Sequence, residues 1–501
     1  MSIPLRTADL VVVICYLVGI TWFGLQFRQK GERSIKSYFL ADRNLPWWAI
    51  SLSIVAAETS TLTIISVPGI AFAGDFGFLQ LVLGYLLGRV AICILFLPRY
   101  FRGELLTAYQ LIGERFGRRL HRLTAFLFLV MRAAAEGVRV FAVAIVVGVA
   151  LGTGDIASIT ILSLLTLLYT FEGGMRAVIW TDVLQMFLYV LGTLVSLWTV
   201  CAHIPGGAHA LIAEASAAGK LTVFHFALSL SQTYTFWAGI IGGGFLTMAS
   251  HGTDQLMVQR LLAAKNLRES RLALLSSGVV VFVQFTLFLL IGAGLFVYYR
   301  HAGQAPHVPS ADRIFPMFIV HQMPVGISGL MIAAILAAAM SNLSAALNSL
   351  ASTSMVDFYL PRHPHLSEEK TMKLSRRMTI VWAVVLLLLA ILSRSGGHVL
   401  EIGLSIASVL WGGMLGVFLL GTLTKRANET GTMAGLVVGC VLNLLLWRQS
   451  TDLHLSLAGH SFVFPKIAWT WYVTIGALTT CIAGYGISVT VYRNRGGVNC
   501  R

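Results

Sequence analysis

The amino-acid sequence predicts an all-α integral membrane protein with about 13 transmembrane helices. Its composition supports this class, because 57% of the 501 residues are hydrophobic and only 11% are charged. Apolar stretches of roughly 20 residues, long enough to cross a bilayer as a helix, recur along the whole chain. The predicted spans centre near Ile14, Ile54, Leu87, Val138, Leu164, Val190, Ile240, Phe282, Leu336, Val385, Val409, Val437 and Ile482.

Positive charge lies mainly in alternate loops of this predicted topology. The chain has 36 Lys and Arg residues and a net charge of +15. About 26 of these basic residues fall in one set of loops and about 7 in the other, and the positive-inside rule places the richer set in the cytoplasm. We therefore expect a plasma-membrane protein (the inner membrane in a bacterium) with its N-terminus outside and its C-terminus in the cytoplasm. No basic extramembrane domain is predicted, so we expect no nucleic-acid binding.

The predicted loops are too short to form a separate soluble domain. We expect a chain embedded in the lipid bilayer, without an obligate protein partner. Its predicted parts are an extra N-terminal helix and cytoplasmic loop (1–35), a first repeat of five helices (36–202), an extracellular loop (203–231), a second repeat of five helices (232–424) and two C-terminal peripheral helices (425–501).

The sequence carries no signature of an enzyme or an ATP-driven pump. It lacks Walker A, HExxH and GxSxG motifs. Its six cysteines have no CxxC or metal-binding spacing, so neither a disulfide framework nor a zinc site is predicted. His251, Thr253 and Asp254 lie close together, and we interpret them as a polar network at a helix end.

Two predicted spans are interrupted by polar or helix-weakening residues. The second span contains "AAETST", which places Glu58 in a membrane segment, where a carboxylate is costly. The seventh contains "FWAGIIGGGFLTMASHGTDQ", with glycine at 242, 243 and 244. Interrupted segments at matching positions of two halves indicate a transporter built from inverted repeats, here of five helices each. For the glycines, the alternative is a close-packed helix face.

The segment "AAILAAAMSNLSAALNSLASTS" carries the clearest polar face. Ser341, Ser344 and Asn348 lie on one helical stripe, and Asn342 and Ser349 form a second stripe beside it. Hydroxyl and amide oxygens, with backbone carbonyls freed at a helix break, suit a hard cation such as Na⁺. The alternative is close packing of small residues with hydrogen bonds between helices.

Several charged residues are predicted inside the membrane, where ionisable groups are functional candidates. Asp182 lies near the cytoplasmic end of its span and is a candidate cation ligand or proton carrier. Arg132, Glu136 and Arg139 form a charged stripe on the fourth span, which predicts either a structural ion pair or a wet cavity that receives a substrate. Arg89, in the third span, has no predicted role.

Four stretches together resemble the sodium:solute symporter family. They are "YFLADRNLPWWAISLSIVAAETSTLTIISVPG", "GGMRAVIWTDVLQ", "HGTDQLMVQR" and "GLMIAAILAAAMSNLSAALNSLASTSMVDFY". The resemblance runs in order from about residue 36 to 430. It implies the LeuT-type five-plus-five inverted repeat, with two broken helices and Na⁺ as the coupling ion.

The resemblance also implies binding residues. The principal Na⁺ site would use the carbonyls of Ala56, Thr59 and Ala338 with the side chains of Ser341 and Asn342, where the family usually has a hydroxyl in place of Asn342. A possible second Na⁺ site would use Asp182, Ser341 and Ser344. The residues implied to bind substrate are Glu58, Ser60, Thr63, Phe78, Arg132 and Arg139.

Two departures argue against sialic acid as the substrate. Val82 stands where sialic acid transporters have a glutamine, and Glu58 also differs from their pattern. We therefore expect Na⁺-coupled symport of a small polar organic solute (a sugar, sugar acid or related compound), with Glu58 paired to Arg132 or Arg139. The alternatives are H⁺ coupling through Glu58 or Asp182, and a transporter-like sensor that does not transport.

Overall fold

The structure is a computed structural model that describes residues 6–27, 34–151, 155–303, 311–392, 399–449, 453–457, 460–464 and 466–496. Its first helices are α1 (Thr7–Leu25), α2 (Ile35–Leu40), α3 (Trp47–Glu58), α4 (Thr61–Ala73), α5 (Phe78–Leu95), α6 (Leu97–Tyr100), α7 (Ala108–Phe116), α8 (Arg118–Leu151), α9 (Asp155–Ala202) and α10 (Gly207–Ala217).

The remaining helices are α11 (Gly243–Gly252), α12 (Gln255–Leu262), α13 (Leu267–His301), α14 (Ile314–Gln322), α15 (Ile327–Thr353), α16 (Glu368–Leu392), α17 (Val399–Leu423), α18 (Glu429–Arg448) and α19 (Tyr472–Gly496). The π-helical turns are Ala238–Gly242 and Ser354–Tyr359, and the 3₁₀ turns are Ala41–Arg43, Ala311–Arg313, Leu360–Arg362 and Trp469–Trp471.

The predicted all-α membrane class is confirmed. All 13 predicted span centres lie in helical segments. Within the described residues, 8 helices are long and apolar enough to cross a membrane, or 9 if the bent pair α3–α4 counts as one span. The count of 13 spans therefore stays a prediction. The sequence did not predict the small antiparallel hairpin formed by β1 (Leu453–Leu457) and β2 (His460–Phe464).

The first predicted break is present. Helix α3 ends at Glu58, α4 begins at Thr61, and the two parts are bent by 64°. Between them Thr59 and Ser60 have extended backbone conformations. The Ser60 hydroxyl accepts a hydrogen bond from the backbone N–H of Thr63 at 3.2 Å and so caps α4. Serine and threonine favour such caps, which explains why the helix restarts at this point.

The second interruption lies in the predicted segment but not at its three glycines. The residues Gly242 and Gly243 have helical backbone angles. Helix α11 instead ends at Gly252, and Asp254 caps α12 by accepting a hydrogen bond from the Leu256 N–H at 3.0 Å. The expectation that the glycines interrupt this helix is therefore wrong.

The glycines of this segment allow α5 to approach closely. A Cβ atom at Gly243 would lie 2.5 Å from the carbonyl oxygen of Leu81. On the facing helix, a Cβ at Gly84 would lie 2.1 Å from the carbonyl oxygen of Gly239. Such distances leave no room for a side chain, so these residues form the close-packed face that was the alternative interpretation.

Helix α15 is the most buried span, and it positions the polar stripe. In the most apolar 18-residue stretch of this span, 94% of the residues are buried, whereas the corresponding value for α1 is 33%. It packs against α1, α8 and α9. Helix α9 bends at Gly174, whose φ of 53° suits glycine, and this bend separates the fifth and sixth predicted spans.

Candidate functional site

The first break meets α15 at a pair of backbone carbonyls. The side-chain amide nitrogen of Asn342 donates to the carbonyl oxygen of Ala338 at 3.0 Å and to that of Thr59 at 3.3 Å. The backbone N–H of Ser60 donates to Thr63 Oγ1. In a continuous helix this N–H would donate to the carbonyl of Ala56, so the break takes that donor away from Ala56. These are the carbonyls that the family resemblance implied for a principal Na⁺ site.

Only the nitrogen of the Asn342 side-chain amide has hydrogen-bond partners among the described residues. Its Oδ1 atom is buried and has no hydrogen-bond partner among the described residues. A rotation of the Asn342 amide that exchanges its oxygen and nitrogen would turn Oδ1 toward the Thr59 and Ala338 carbonyls. This orientation is favourable when a bound cation lies among the three oxygens. Buried oxygens around one position fit the donor set that a hard cation such as Na⁺ requires.

Asp182 lies next to this position and is bound from three directions. Its carboxylate accepts hydrogen bonds from Ser341 Oγ at 2.7 Å and from Ser53 Oγ at 2.5 Å. The guanidinium of Arg260 on α12 lies 2.9 Å from Asp182 Oδ2 and also donates to Ser53 Oγ. The three charged or hydroxyl partners connect α3, α12 and α15 to α9.

The predicted second Na⁺ site is only partly assembled. Asp182 and Ser341 are in contact, as predicted, but the hydroxyl of Ser344 donates to the carbonyl of Ser341 on its own helix at 2.9 Å. Arg260 neutralises the carboxylate that the site would use. The sequence did not predict this pairing.

Glu58 forms an ion pair with Arg89 on α5, so the expected pairing with Arg132 or Arg139 is wrong. The guanidinium of Arg89 hydrogen-bonds the Glu58 carboxylate, and His251 Nε2 on α11 lies 3.3 Å from the same oxygen. Arg89 also donates to Ser277 Oγ at 3.3 Å. Its side chain is 0% exposed and that of Glu58 is 13% exposed, so Glu58 is the more accessible residue of the pair.

The predicted charged stripe on α8 forms a buried network of ion pairs. Arg132 lies 2.5 Å from Asp254 Oδ2 and 3.9 Å from Glu136 Oε2. Arg139 lies 3.5 Å from the same Glu136 oxygen. Trp411 also donates to Asp254 at 3.3 Å. The predicted network of His251, Thr253 and Asp254 is not formed as expected, because the Thr253 hydroxyl donates to the Ala249 carbonyl and His251 lies against Glu58. Both arginines are therefore bound to internal carboxylates.

The other residues implied to bind substrate lie around the break. The hydroxyls of Ser60 and Thr63 lie 3.0 Å apart, and both residues are half-buried. The ring of Phe78 is buried and stacks on Phe285 with centroids 5.3 Å apart. Gln284 on α13 was not predicted from the sequence: its Oε1 accepts from Thr59 Oγ1 at 3.1 Å.

The amide nitrogen of Gln284 is a further donor at the break. This Nε2 atom is buried and has no partner among the described residues. A buried polar group usually has a partner, so an unpaired donor beside a half-buried hydroxyl cluster is a candidate contact for a ligand. The sequence signal was weak, because Gln284 is a single polar residue in an apolar span.

Comparison with known proteins gives a consistent result. The model of the sodium:solute symporter family matches residues 38–439. The human sodium/iodide cotransporter is 28% identical over 483 residues, which cover 95% of this chain and 72% of the relative. The sodium/sialic acid symporter SiaT of Proteus mirabilis is also 28% identical over 483 residues, covering 94% of this chain and 93% of the relative.

Solved structures share the fold. The substrate-bound, outward-open structure of a Na⁺-coupled sialic acid symporter superposes with a TM-score of 0.85 at 26% identity, covering 97% of this chain and 98% of that one. The closed structure of Mhp1, a nucleobase-cation-symport-1 family transporter, gives a TM-score of 0.59 at 15% identity, covering 93% of this chain and 96% of that one. The second similarity concerns the fold alone.

Proposed function

Because the chain belongs to the sodium:solute symporter family, we propose that it carries a small polar organic solute across the membrane together with Na⁺. Secondary transporters of inverted-repeat architecture bind substrate and ion near the bilayer midplane at discontinuous helices. The observation that carries the proposal is the meeting of the α3–α4 break with α15, where the Thr59 and Ala338 carbonyls face one amide. We assign these carbonyls, with Ala56, Ser341 and Asn342, to the coupling ion.

Sodium at this position would join the broken helix to α15. We propose that it stabilises the conformation in which the substrate pocket at Glu58, Ser60 and Thr63 is formed. A ligand shifts a conformational equilibrium only by its difference in affinity for the two states. Linkage then requires substrate and Na⁺ to strengthen each other's binding by the same factor.

Replacement of Ser341 tests the coupling. We expect Ser341→Ala to abolish Na⁺-driven uptake in proteoliposomes and to weaken the stabilisation of the purified protein by Na⁺, since it removes a proposed ligand. Ser349→Ala is a suitable control, because its hydroxyl donates to a carbonyl of its own helix, Ala346 O at 3.0 Å. Uptake with normal Na⁺ affinity in Ser341→Ala would contradict the assignment of the site.

The topology belongs to the same proposal. The excess of basic residues in alternate loops supports an N-terminus outside and a C-terminus in the cytoplasm of a plasma membrane. Helical breaks in α3–α4 and α11–α12 support two inverted repeats at 36–202 and 232–424, flanked by a peripheral N-terminal helix and two C-terminal ones.

A further inference from the structure

We propose that the junction between the start of α8 and the turn that follows α15 binds the phosphate of an anionic phospholipid. Arg118 and Arg122 of α8 and Arg362 of the 3₁₀ turn after α15 form this site. The inference goes beyond the proposed transport function and does not depend on the identity of the solute. It rests on the convergence of the three arginines, on their lack of protein partners and on the face of α8 that they continue.

A largely buried contact brings the two elements together. His121 Nε2 on α8 lies 2.7 Å from Asp357 Oδ1, in the π-helical turn at the end of α15. The Thr107 hydroxyl donates to the same carboxylate oxygen at 2.7 Å. Arg122 follows His121 directly. Arg362 lies five residues after Asp357, so the contact brings both arginines to one junction, and a ligand bound there would join α8 to the helix that carries the proposed Na⁺ ligands.

The three arginines repel one another. The positive charges of Arg118 and Arg362 both act on the guanidinium of Arg122. None of the three side chains forms an ion pair or a hydrogen bond within the part of the chain that the structure describes. Like charges held close together cost free energy, so a bound anion would stabilise the junction. Guanidinium groups bind phosphate oxygens through paired N–H donors, which makes phosphate a fitting ligand.

Carboxylates on the neighbouring elements do not neutralise these arginines. Glu429 on α18 accepts hydrogen bonds from two backbone N–H groups in the first turn of α8, at 2.8 and 3.0 Å. Glu104 pairs with Lys36 at 3.5 Å. Glu114 lines an open cavity together with Arg118, but the two form no ion pair. The described carboxylates at this end of α8 therefore leave the three guanidinium groups free to meet an added anion.

The exposed face of α8 indicates that the anion belongs to a lipid. Phe126 and Val130 follow Arg122 at intervals of four residues, on one face of the helix, and are 53% and 48% exposed. Exposed apolar side chains on a membrane span contact acyl chains. Four residues rise about 6 Å along a helix, which puts Arg122 at headgroup level when Phe126 meets the acyl chains. The proposed topology places this end of α8 in the cytoplasmic leaflet.

Lipid binding to the purified full-length protein tests the proposal. The protein is kept in neutral detergent micelles, where no charged membrane surface is present. Native mass spectrometry then measures its affinity for dioleoylphosphatidylglycerol and for dioleoylphosphatidylcholine, which have the same acyl chains but differ in the net charge of the headgroup. We expect the wild type to bind the anionic lipid at least about tenfold more tightly. Equal affinity for the two lipids would contradict the proposal.

Replacing the arginines should remove this preference. We expect the triple variant Arg118→Gln, Arg122→Gln and Arg362→Gln to lose at least about tenfold in affinity for the anionic lipid and to bind the zwitterionic lipid unchanged. The control variant removes three exposed basic residues from other positions: Arg102→Gln, Lys265→Gln and Arg268→Gln. The control should bind both lipids as the wild type does. Equal losses in the two triple variants would overturn the proposal, because they would indicate a general effect of net charge.

Two further measurements complete the test. Inorganic phosphate should not displace the bound lipid, and displacement would overturn the proposal by identifying a soluble anion as the ligand. The single variant Arg122→Gln keeps most of the charge of this segment and serves where the triple variant inserts poorly into the membrane. We expect it to lose about fivefold in affinity for the anionic lipid. Unchanged affinity in this variant would contradict the assignment of the site.

Discussion

The guanidinium of Arg260 lies 2.9 Å from Asp182 Oδ2, and both side chains are almost completely buried. The pair joins α12, which follows the second break, to α9. Ser341, a proposed Na⁺ ligand on α15, donates to the other oxygen of the same carboxylate at 2.7 Å. Arg260 thus pairs with the carboxylate that the family resemblance implied as a ligand of a second Na⁺.

Removing Arg260 tests whether it substitutes for that ion. We expect Arg260→Met to lower the stability of the Na⁺-free protein by about 3–5 kcal/mol, because it leaves Asp182 buried and unpaired. Sodium should restore more stability to the variant than to the wild type, which thermal denaturation at several Na⁺ concentrations would measure. Arg268→Met, at an exposed position, is the control. Equal stability of both variants without Na⁺ would contradict this account.

Asn342 is expected to set the affinity of the principal Na⁺ site. Its amide nitrogen competes for the Ala338 and Thr59 carbonyls, and an ordinary hydrogen bond contributes about 0.5–1.5 kcal/mol. We therefore expect Asn342→Ser to tighten Na⁺ binding by up to about tenfold. A Na⁺ titration followed by thermal shift measures the change, with Ser349→Ala as the control. Weaker Na⁺ binding in Asn342→Ser would contradict this account, because it would show that the serine hydroxyl is a poorer ligand for Na⁺ than Oδ1 of Asn342.

The contact between α5 and the glycine-rich segment should tolerate no added methyl group. Alanine at Gly84 would place Cβ 2.1 Å from the Gly239 carbonyl oxygen and 2.9 Å from the Gly244 nitrogen. We expect Gly84→Ala to destabilise the protein by at least about 1–3 kcal/mol, which thermal denaturation would show. Gly486→Ala on α19 meets no atom within 4 Å and should be neutral or slightly stabilising. Equal effects of the two would contradict the packing argument.

The N-terminal helix is expected to stabilise the start of α15. Asp9 Oδ1 on α1 accepts hydrogen bonds from the backbone N–H groups of Gly326 at 2.7 Å and Gly329 at 2.9 Å. Hydrogen bonds to charged groups are worth about 1.5–3 kcal/mol, so we expect a loss of this order from Asp9→Ala. Chemical denaturation would measure it. The exposed Glu104→Ala should have little effect, and a similar small effect of Asp9→Ala would disprove the role.

Much of the proposed ion site could be predicted from the sequence. The family resemblance selected Thr59, Ala338 and Asn342, and the structure brings these three residues into contact. The first helix break was predicted from local signals, because a Glu–Thr–Ser–Thr run within an apolar segment both costs energy in a membrane and supplies a cap for a new helix.

The ion pairs were harder to predict. Neither Arg89 nor Arg260 received a predicted role, yet Arg89 pairs with the half-buried Glu58 and Arg260 with the buried Asp182. Their partners lie far away in the sequence: 31 positions separate Arg89 from Glu58, and 78 separate Arg260 from Asp182. The glycines at 242–244 were expected to break a helix, whereas Gly243 and Gly244 pack closely against α5 and Gly242 packs against Thr470.

The sequence by itself determined the membrane class, the first break and the polar stripe of α15. Each of these follows from composition, periodicity or capping within about 20 consecutive residues. The tertiary structure alone decided which arginine pairs with which carboxylate. That choice depends on the distances between side chains of different helices, since a buried charge must be paired and the available partner is whichever group the packing brings within reach.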